Sequence, residues 1–304
     1  MAILLHSEPT LRDAQNDSSQ DSHGLQRPAP GTGIEWELNR KLQTSLDINQ
    51  ILNFFFEAVH TELACTHFSY DCPESGLELS QGKAKRHTCN YQLKLANESL
   101  GRLRFTRSRR FSEQDLQRVE ELLCLLVYPL RNALMYKAAL QQAMRDTLTG
   151  TLNRAAFDTM LAKEIEIAER HNNPLSLLVL DIDHFKNIND SFGHAMGDNA
   201  LRAMVDRVNE KIRSSDIMFR YGGEEFTIIL SNTGTDGALL LAERIREAIE
   251  EMLYINDDAS IRITVSIGVS TLVTAESGSE LFERADKALY EAKRTGRNQV
   301  LLAK

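Results

Sequence analysis

Residues 174 to 183, Pro-Leu-Ser-Leu-Leu-Val-Leu-Asp-Ile-Asp, limit the possible folds more than any other stretch. The run is almost wholly apolar, so both of its faces need cover, and a central strand in a helix-covered sheet provides it. It ends at Asp181 and Asp183, and sheets of this kind place their ligands at the C-terminal ends of their strands. A second constraint lies downstream, where Arg220-Tyr-Gly-Gly-Glu-Glu-Phe226 is flanked by Asp216-Ile-Met-Phe219 and Thr227-Ile-Ile-Leu230. Gly222-Gly223 between short apolar runs predicts a tight hairpin that carries two carboxylates out of the sheet. Adjacent Glu224 and Glu225 repel each other, and a cation held there would relieve them. The plainer alternative is that acids on an exposed turn need no partner. Asp181 with these glutamates makes an oxygen ligand set of the kind magnesium prefers, with no cysteine or histidine cluster beside it to suggest zinc.

The chain has 304 residues, enough for two domains, with 42% hydrophobic and 26% charged residues. A net charge of −8 disfavours a general nucleic-acid surface. No run of 18 or more apolar residues and no cleavable leader pattern is present, so no membrane span and a cytoplasmic location are expected. The four cysteines, Cys65, Cys72, Cys89 and Cys124, fit neither a zinc knuckle nor a redox pair and read as free thiols. Cys65, His67, Cys72, His87 and Cys89 could converge on a metal or haem; chance placement on a small sheet is the commoner case.

Residues 1 to 32 are rich in Asp, Ser, Gln, Gly and Pro and read as a disordered tail. Residues 33 to 111 form the next section. Apolar positions from Leu38 to Leu63 recur at helical spacing, and short alternating runs follow between about residues 64 and 106, as in a small antiparallel sheet. Arg102, Arg104, Arg107, Arg109 and Arg110 make its last strand and exit loop basic, which reads as a solvated edge. Residues 112 to 145 form a long connecting helix that opens on Ser112 as N-cap and contains Pro129. Its seam of Leu116, Val119, Leu123, Leu126, Leu130, Ala133, Leu140 and Met144 suits pairing with a second copy; packing against its own domain is the alternative before Pro129. From 146 to 304, helices at 153 to 170, 197 to 213, 236 to 253 and 278 to 294 alternate with strands at 175 to 180 and 261 to 270 and with the hairpin. That pattern predicts one domain of α+β or α/β character, a layered sheet with flanking helices.

These segments resemble the diguanylate cyclase family, also called GGDEF domains, which implies an α+β fold with a central, mostly antiparallel sheet flanked by helices. The resemblance rests on Asp146-Thr-Leu-Thr-Gly150 with Leu152-Asn-Arg154, Asp181-Ile-Asp-His-Phe-Lys186 with Asn189-Asp190, and Phe192-Gly-His194 with Gly197-Asp198. It rests further on Gly222-Gly-Glu-Glu-Phe226, Ser266-Ile-Gly-Val269, and Ala285-Asp-Lys-Ala-Leu-Tyr290 with Ala292-Lys-Arg294 and Gly296-Arg-Asn298. It implies a nucleotidyltransferase that condenses two GTP into cyclic di-GMP and two pyrophosphates, with magnesium, or manganese in its place. The implied metal ligands are Asp181, the backbone carbonyl of Ile182, Glu224 and Glu225, with Glu224 and Glu225 as the catalytic acids. Asn189 and Asp198 would bind guanine; Phe185, Lys186, Lys293 and Arg297 would meet the phosphates. Lys293 and Arg297 lie four apart and would face one site if the last helix continued through Gly296. His184 and His194 read as structural. Each domain would hold one GTP, so the family's chemistry needs a homodimer.

Arg213-Ser-Ser-Asp216, five residues before Gly222, matches the family's inhibitory motif, which implies product binding by Arg213, Asp216 and Arg244. A capped helix end is the plainer alternative. Residues 33 to 111 resemble a GAF sensory domain, with a PAS-like fold as runner-up, serving either as a site for an unknown small molecule or as a dimerisation platform. A degenerate nucleotide-binding domain and an adenylate-type or hybrid cyclase are the competing functions. No phosphodiesterase domain is expected before Lys304.

Overall fold

The computed structural model describes residues 6–7, 33–256 and 259–304, with side chains omitted from description at 6–7 and 253–260. The tail expected over residues 1 to 32 lies outside the described residues except at His6–Ser7, which form a short strand, β1. Two compact units follow one another along the chain, one ending at Leu140 and one running from Gln141 to Lys304.

The first unit contains α1 (Ile34–Leu42), α2 (Ile48–Leu63), β2 (His67–Cys72), β3 (Leu77–Gly82), β4 (His87–Leu95), β5 (Glu98–Arg107) and most of α3 (Glu113–Ala143). Asp47 starts α2 by accepting from the Gln50 amide, and Ala64 ends it in the left-handed conformation. The sheet runs β1-β4-β5-β2-β3, antiparallel throughout. Strand alternation sends Phe68, Tyr70, Tyr91, Leu93, Leu103 and Phe105 into a core shared with the helices. Ser69, Asp71, Asn90, Gln92, Arg102 and Arg104 occupy the alternate positions, and there Arg102 pairs with Asp71 at 2.6 Å and Arg104 donates to Asn90 at 2.9 Å. Arg107 departs from the expected solvated edge. It is buried, donates to the carbonyls of Leu63, Arg109 and Arg110 and to the Asp115 carboxylate, and stacks over Phe111.

Three of the four cysteines belong to this core as well. Cys65, Cys72 and Cys89 are buried and Cys124 is exposed, and burial pushes the Cys65 and Cys89 thiols up to about 11 and about 12. Helix α3 is continuous through Pro129. Its expected seam is largely consumed at home, since Val119, Leu123, Leu126, Leu130 and Ala133 all enter the unit's own core. Leu140 remains exposed, as do Tyr128, Met135 and Tyr136 on other positions of the helix.

The second unit contains β6 (Leu152–Asn153), α4 (Arg154–His171), β7 (Leu175–Ile182), α5 (Phe185–Phe192), α6 (His194–Asn209), β8 (Ile217–Arg220), β9 (Glu225–Ser231) and α7 (Thr235–Glu250). The hairpin β10 (Leu253–Asn256) and β11 (Ala259–Arg262), then β12 (Val265–Thr271), α8 (Gly278–Arg294) and β13 (Val300–Leu302) complete it. Its six-stranded sheet runs β13-β12-β7-β9-β8-β6, parallel only at the two edge pairs. This is an α+β fold, with β7 central and buried at every position as its apolar run required. Alternate β7 residues divide two cores. Leu178, Leu180 and Ile182 pack with α5, α6 and α7, while Leu175, Leu177 and Val179 pack with α4 and α8.

Three local expectations change. Helix α5 lies where none was expected, and α6 begins at His194 instead of residue 197. The run expected as one strand over 261 to 270 is two: β11 pairs with β10, whereas β12 joins the main sheet. The break falls at Ile263-Thr264, where the Thr264 carbonyl accepts from the Asp183 amide and its hydroxyl donates to the Asp183 carboxylate.

Candidate active site

Asp181 is the penultimate residue of β7, and register places it opposite Glu225 of β9 on one side and Ser266 of β12 on the other. Its side chain is almost fully buried, and its carboxylate is held by the Lys293 ammonium of α8 at 2.7 Å. Burial pushes the Asp181 carboxyl up to about 6; Lys293 opposes the rise, and Glu224 and Glu225 add to it through like-charge repulsion. Glu224 shifts upward for the same reasons, with burial first, Lys293 opposing and Glu225 adding. Asp181, Glu224, Glu225 and Lys293 therefore share one electrostatic site at the end of the central strand. Ile182, whose carbonyl completes the expected ligand set, is the last residue of β7, and its amide meets the Glu224 carbonyl at 3.4 Å.

The hairpin that presents the glutamates differs from the tight turn expected. Residues 221 to 224 link β8 to β9, the amides of Tyr221 and Gly222 both donate to the Glu225 carbonyl, and neither Gly222 nor Gly223 has positive φ. Glycine at 222 answers to space: a Cβ there would lie 2.5 Å from Glu225 Oε2. Arg220 holds the tip, donating through Nε and Nη2 to the Gly223 carbonyl at 3.2 and 2.7 Å and through Nη1 to Asp146 at 2.9 Å. Burial pushes the Asp146 carboxyl up, but bonds from Thr149 and Arg220 outweigh it and leave the carboxyl below its usual range. On the other side of the turn Tyr221 is clamped between Arg154, 4.5 Å above its ring, and Phe282, with ring centroids 4.5 Å apart. Arg220→Ala frees the Gly223 carbonyl beside Glu224. Turnover is expected to fall by about 10²-fold, with melting temperature moved by only a few degrees; a rate within twofold of wild type contradicts this positioning role.

Asp183 was not among the expected site residues, yet it organises one side of the site. Its buried carboxylate accepts from the hydroxyls of Thr264 and Ser266 at 2.8 and 2.7 Å and from the Asn298 amide at 2.9 Å. The available signal was period-two alternation, which puts Asp183 on the same strand face as Asp181. Asn298 is pinned further by Arg246 and Glu250. The helical argument for Lys293 and Arg297 fails: α8 stops at Arg294, Gly296 has φ +131°, and Arg297 and Asn298 are both left-handed. Arg297 instead sits exposed in a loop fastened by Asp183 and by its own amide bond to the Ala292 carbonyl. Two successive left-handed residues other than glycine carry strain that this fastening maintains.

The remaining expected residues fall into two groups. Phe185 and Lys186 open α5, where amides lack carbonyl partners within the helix. The Phe185 ring is buried in the core, so toward a phosphate it can offer only its backbone, while Lys186 is exposed. Asn189 of α5 and Asp198 of α6 are both half-buried, on adjacent helices joined through Gly193 at φ +81°. Away from this end, Arg213 engages Asp216 through its backbone amide at 2.9 Å and leaves its guanidinium exposed. Asp216 is buried and also takes the Ser215 hydroxyl, and Arg244 donates to the Lys211 carbonyl at 2.6 Å. The capped turn and a presented arginine thus coexist. His184 is the left-handed residue before α5, and His194 opens α6.

Comparison with known proteins follows the same geography. The family model described as "Diguanylate cyclase, GGDEF domain" matches residues 143–299. Diguanylate cyclase A of Treponema denticola is 37% identical over 220 residues, covering 70% of this chain and 58% of that protein. Diguanylate cyclase DgcP of Pseudomonas aeruginosa is 42% identical over 163 residues, covering 54% of this chain and 24% of that protein. The chain therefore spans little more than half of the first relative's length and about a quarter of the second's. Among solved structures, the coiled coil and GGDEF domain of DgcB from Caulobacter crescentus in complex with c-di-GMP is 33% identical, with a TM-score of 0.56 over 62% of this chain and 100% of that one. On the match over residues 143–299, more than half of its length, the chain belongs to the diguanylate cyclase GGDEF-domain family.

Proposed function

We propose that this chain is an active, metal-dependent diguanylate cyclase that joins two GTP across a pair of catalytic units. The observation that carries the reading is the buried Asp181 at the end of β7, in register with Glu225, sharing the field of Glu224 and held by a single cation, Lys293. A degenerate nucleotide-binding domain would have no need to keep a carboxylate in that costly environment.

The donor set fits magnesium. Asp181, the Ile182 carbonyl and Glu224 supply hard oxygens, and the Lys293 ammonium on Asp181 is a stand-in positive charge. Among the described residues no three acid, histidine or cysteine side chains gather into a closed metal cage. That suits an ion that keeps water and substrate phosphates as its other ligands. The chemistry magnesium supplies there is neutralisation of the triphosphate and of charge developing at the α-phosphorus. Lys293, which holds Asp181, would be released toward the phosphates if a cation took its place, and Lys186, Arg297 and the first amides of α5 would hold the pyrophosphate end. Glu224 accepts the proton of an attacking 3'-hydroxyl. A bond forms from that ribose oxygen to the α-phosphorus of the second GTP, and the α–β bridging bond breaks to release pyrophosphate. Repeating the step in the opposite sense closes the ring. Asn189 and Asp198 read guanine, whose edge offers donors and an acceptor to a carboxylate–amide pair.

Each unit holds one nucleotide, so a second copy is required, and the first unit with α3 raises its effective concentration. We assign this unit, helices with one antiparallel sheet, the role of a GAF-like sensory or dimerisation module. Among the described residues no helix is long and apolar enough to cross a membrane, and we place the reaction in the cytoplasm. Arg213, Asp216 and Arg244 form the product-binding site. Arg213→Ala is expected to abolish inhibition by added cyclic di-GMP while leaving the initial rate within about twofold; an unchanged inhibition curve contradicts that assignment. The reading as a whole is tested by incubating the purified chain with GTP and magnesium and separating the nucleotides. Cyclic di-GMP is expected, with formation stopped by EDTA and restored by excess magnesium; formation that survives the chelator contradicts the metal requirement.

A further inference from the structure

Gly197 is the fourth residue of α6, buried, with no positive φ that would call for glycine. A glycine inside a helix weakens it relative to alanine, so its presence here calls for a reason in the packing. The reason lies on α5. A Cβ built on Gly197 would stand 1.9 Å from Asn189 Oδ1, 3.0 Å from its Cγ and 3.2 Å from Phe185 Cζ. The Asn189 carboxamide thus fills the volume that any side chain at 197 would occupy. Its backbone is fixed as well, because the Asn189 carbonyl accepts from the Gly193 amide at 2.8 Å at the junction of α5 and α6. The next residue along α6 is Asp198.

We propose that Gly197 is a specificity-determining positioning residue for base selection: by lacking a side chain it lets the Asn189 carboxamide lie against α6, beside Asp198, in the orientation that reads guanine. This rests on the assignment of Asn189 and Asp198 to the base. The obstructing atoms belong to the free end of a side chain, so an added methyl group would move the carboxamide without opening the helix pair. Folding and base selection are therefore separable at this position. A residue whose role is only to pack the two helices would lose stability first and selectivity not at all.

The test uses the full-length chain with GTP, inosine triphosphate, which lacks the 2-amino group, and ATP. Gly197→Ala is expected to raise KM for GTP by about tenfold or more, one well-made hydrogen bond's worth, with kcat within about threefold and an unchanged melting temperature. The preference for GTP over inosine triphosphate and ATP, taken as the ratio of kcat/KM values, falls with it. Asn189→Ala should do the same, and the Gly197→Ala/Asn189→Ala double variant should be no worse than Asn189→Ala alone, because the carboxamide that the methyl group displaces is then absent and Phe185 need yield only a few tenths of an ångström. Wild-type KM and selectivity in Gly197→Ala, or additive losses in the double variant, overturn the proposal. If Gly197→Ala does not fold, the double variant must; its failure to fold also overturns the proposal. A wild-type chain that shows no preference for GTP instead refutes the base-binding assignment beneath it.

Discussion

Asp181→Asn is expected to leave a folded chain that forms product from GTP at a rate lower by a factor on the order of 10³, since one charge at the centre of the site disappears while its shape stays. The same substitution should stabilise the protein. Burial raises the Asp181 carboxyl from its ordinary 3.8 to about 6, so the folded state binds its proton more tightly than the unfolded chain does. Between about pH 4 and 6 the unfolded chain is therefore the first to ionise, and the native protein loses stability as pH rises through that window. The neutral amide carries no such cost, so at pH 7 the variant should exceed wild type by about 1–3 kcal/mol, a gap that closes below about pH 4. Protons compete with the metal for this carboxyl, so in wild type the magnesium concentration needed for half-maximal rate should rise as pH drops through about 6, where metal-free Asp181 takes up its proton. Denaturant titrations of both proteins at pH 4 and pH 7, paired with rates, check the trade. A variant that keeps more than a tenth of the rate, or is less stable at pH 7, contradicts this account of the site.

Gly268→Ala is expected to have the largest effect on stability in the second unit. Helix α8 crosses β12 so closely there that a Cβ would lie 2.0 Å from the Ala285 carbonyl oxygen and 2.4 Å from the Leu289 amide nitrogen. Both obstructing atoms are backbone, unlike those facing Gly197, so no rotamer change can make room. The helix must retreat, and with it Leu281, Ala285 and Leu289, which it buries against the sheet, and Lys293, which holds Asp181. Forcing a packed interface apart in this way costs about 3 kcal/mol, a large share of a domain's total stability. Loss of catalytic activity and an earlier unfolding transition should appear together. A transition midpoint equal to wild type contradicts the close crossing.

These two positions show how unevenly the sequence disclosed the molecule. The β7 run and its terminal acids were legible because burial on both faces leaves a pattern in the residues themselves, and Asp181 lies where that pattern put it. The Gly-Gly-Glu-Glu hairpin was legible as a hairpin, but the reason for glycine at 222, room for the Glu225 side chain three residues on, depends on the folded turn and leaves no pattern in the residues. Helix α5 was missed because it is only eight residues long, although Phe185, Ile188 and Phe192 stand at helical spacing within it. The α3 seam was read correctly as apolar, yet periodicity cannot tell which surface covers it, and much of it packs in its own unit. The bonds that Asp183 accepts and the Asp146–Arg220 bond were invisible for a related reason: each depends on partners more than 70 residues away in the chain, although alternation did place Asp183 on the face of Asp181.

Isotope mixing probes the symmetric condensation of two GTP. Purified chain is given equal amounts of ordinary GTP and uniformly ¹⁵N-labelled GTP with magnesium, and the cyclic dinucleotide is weighed. Light, mixed and heavy cyclic di-GMP are expected in a ratio of about 1:2:1, because each copy draws its nucleotide independently from the pool. A product carrying only one guanine, or no cyclic dinucleotide at any protein concentration, would contradict it.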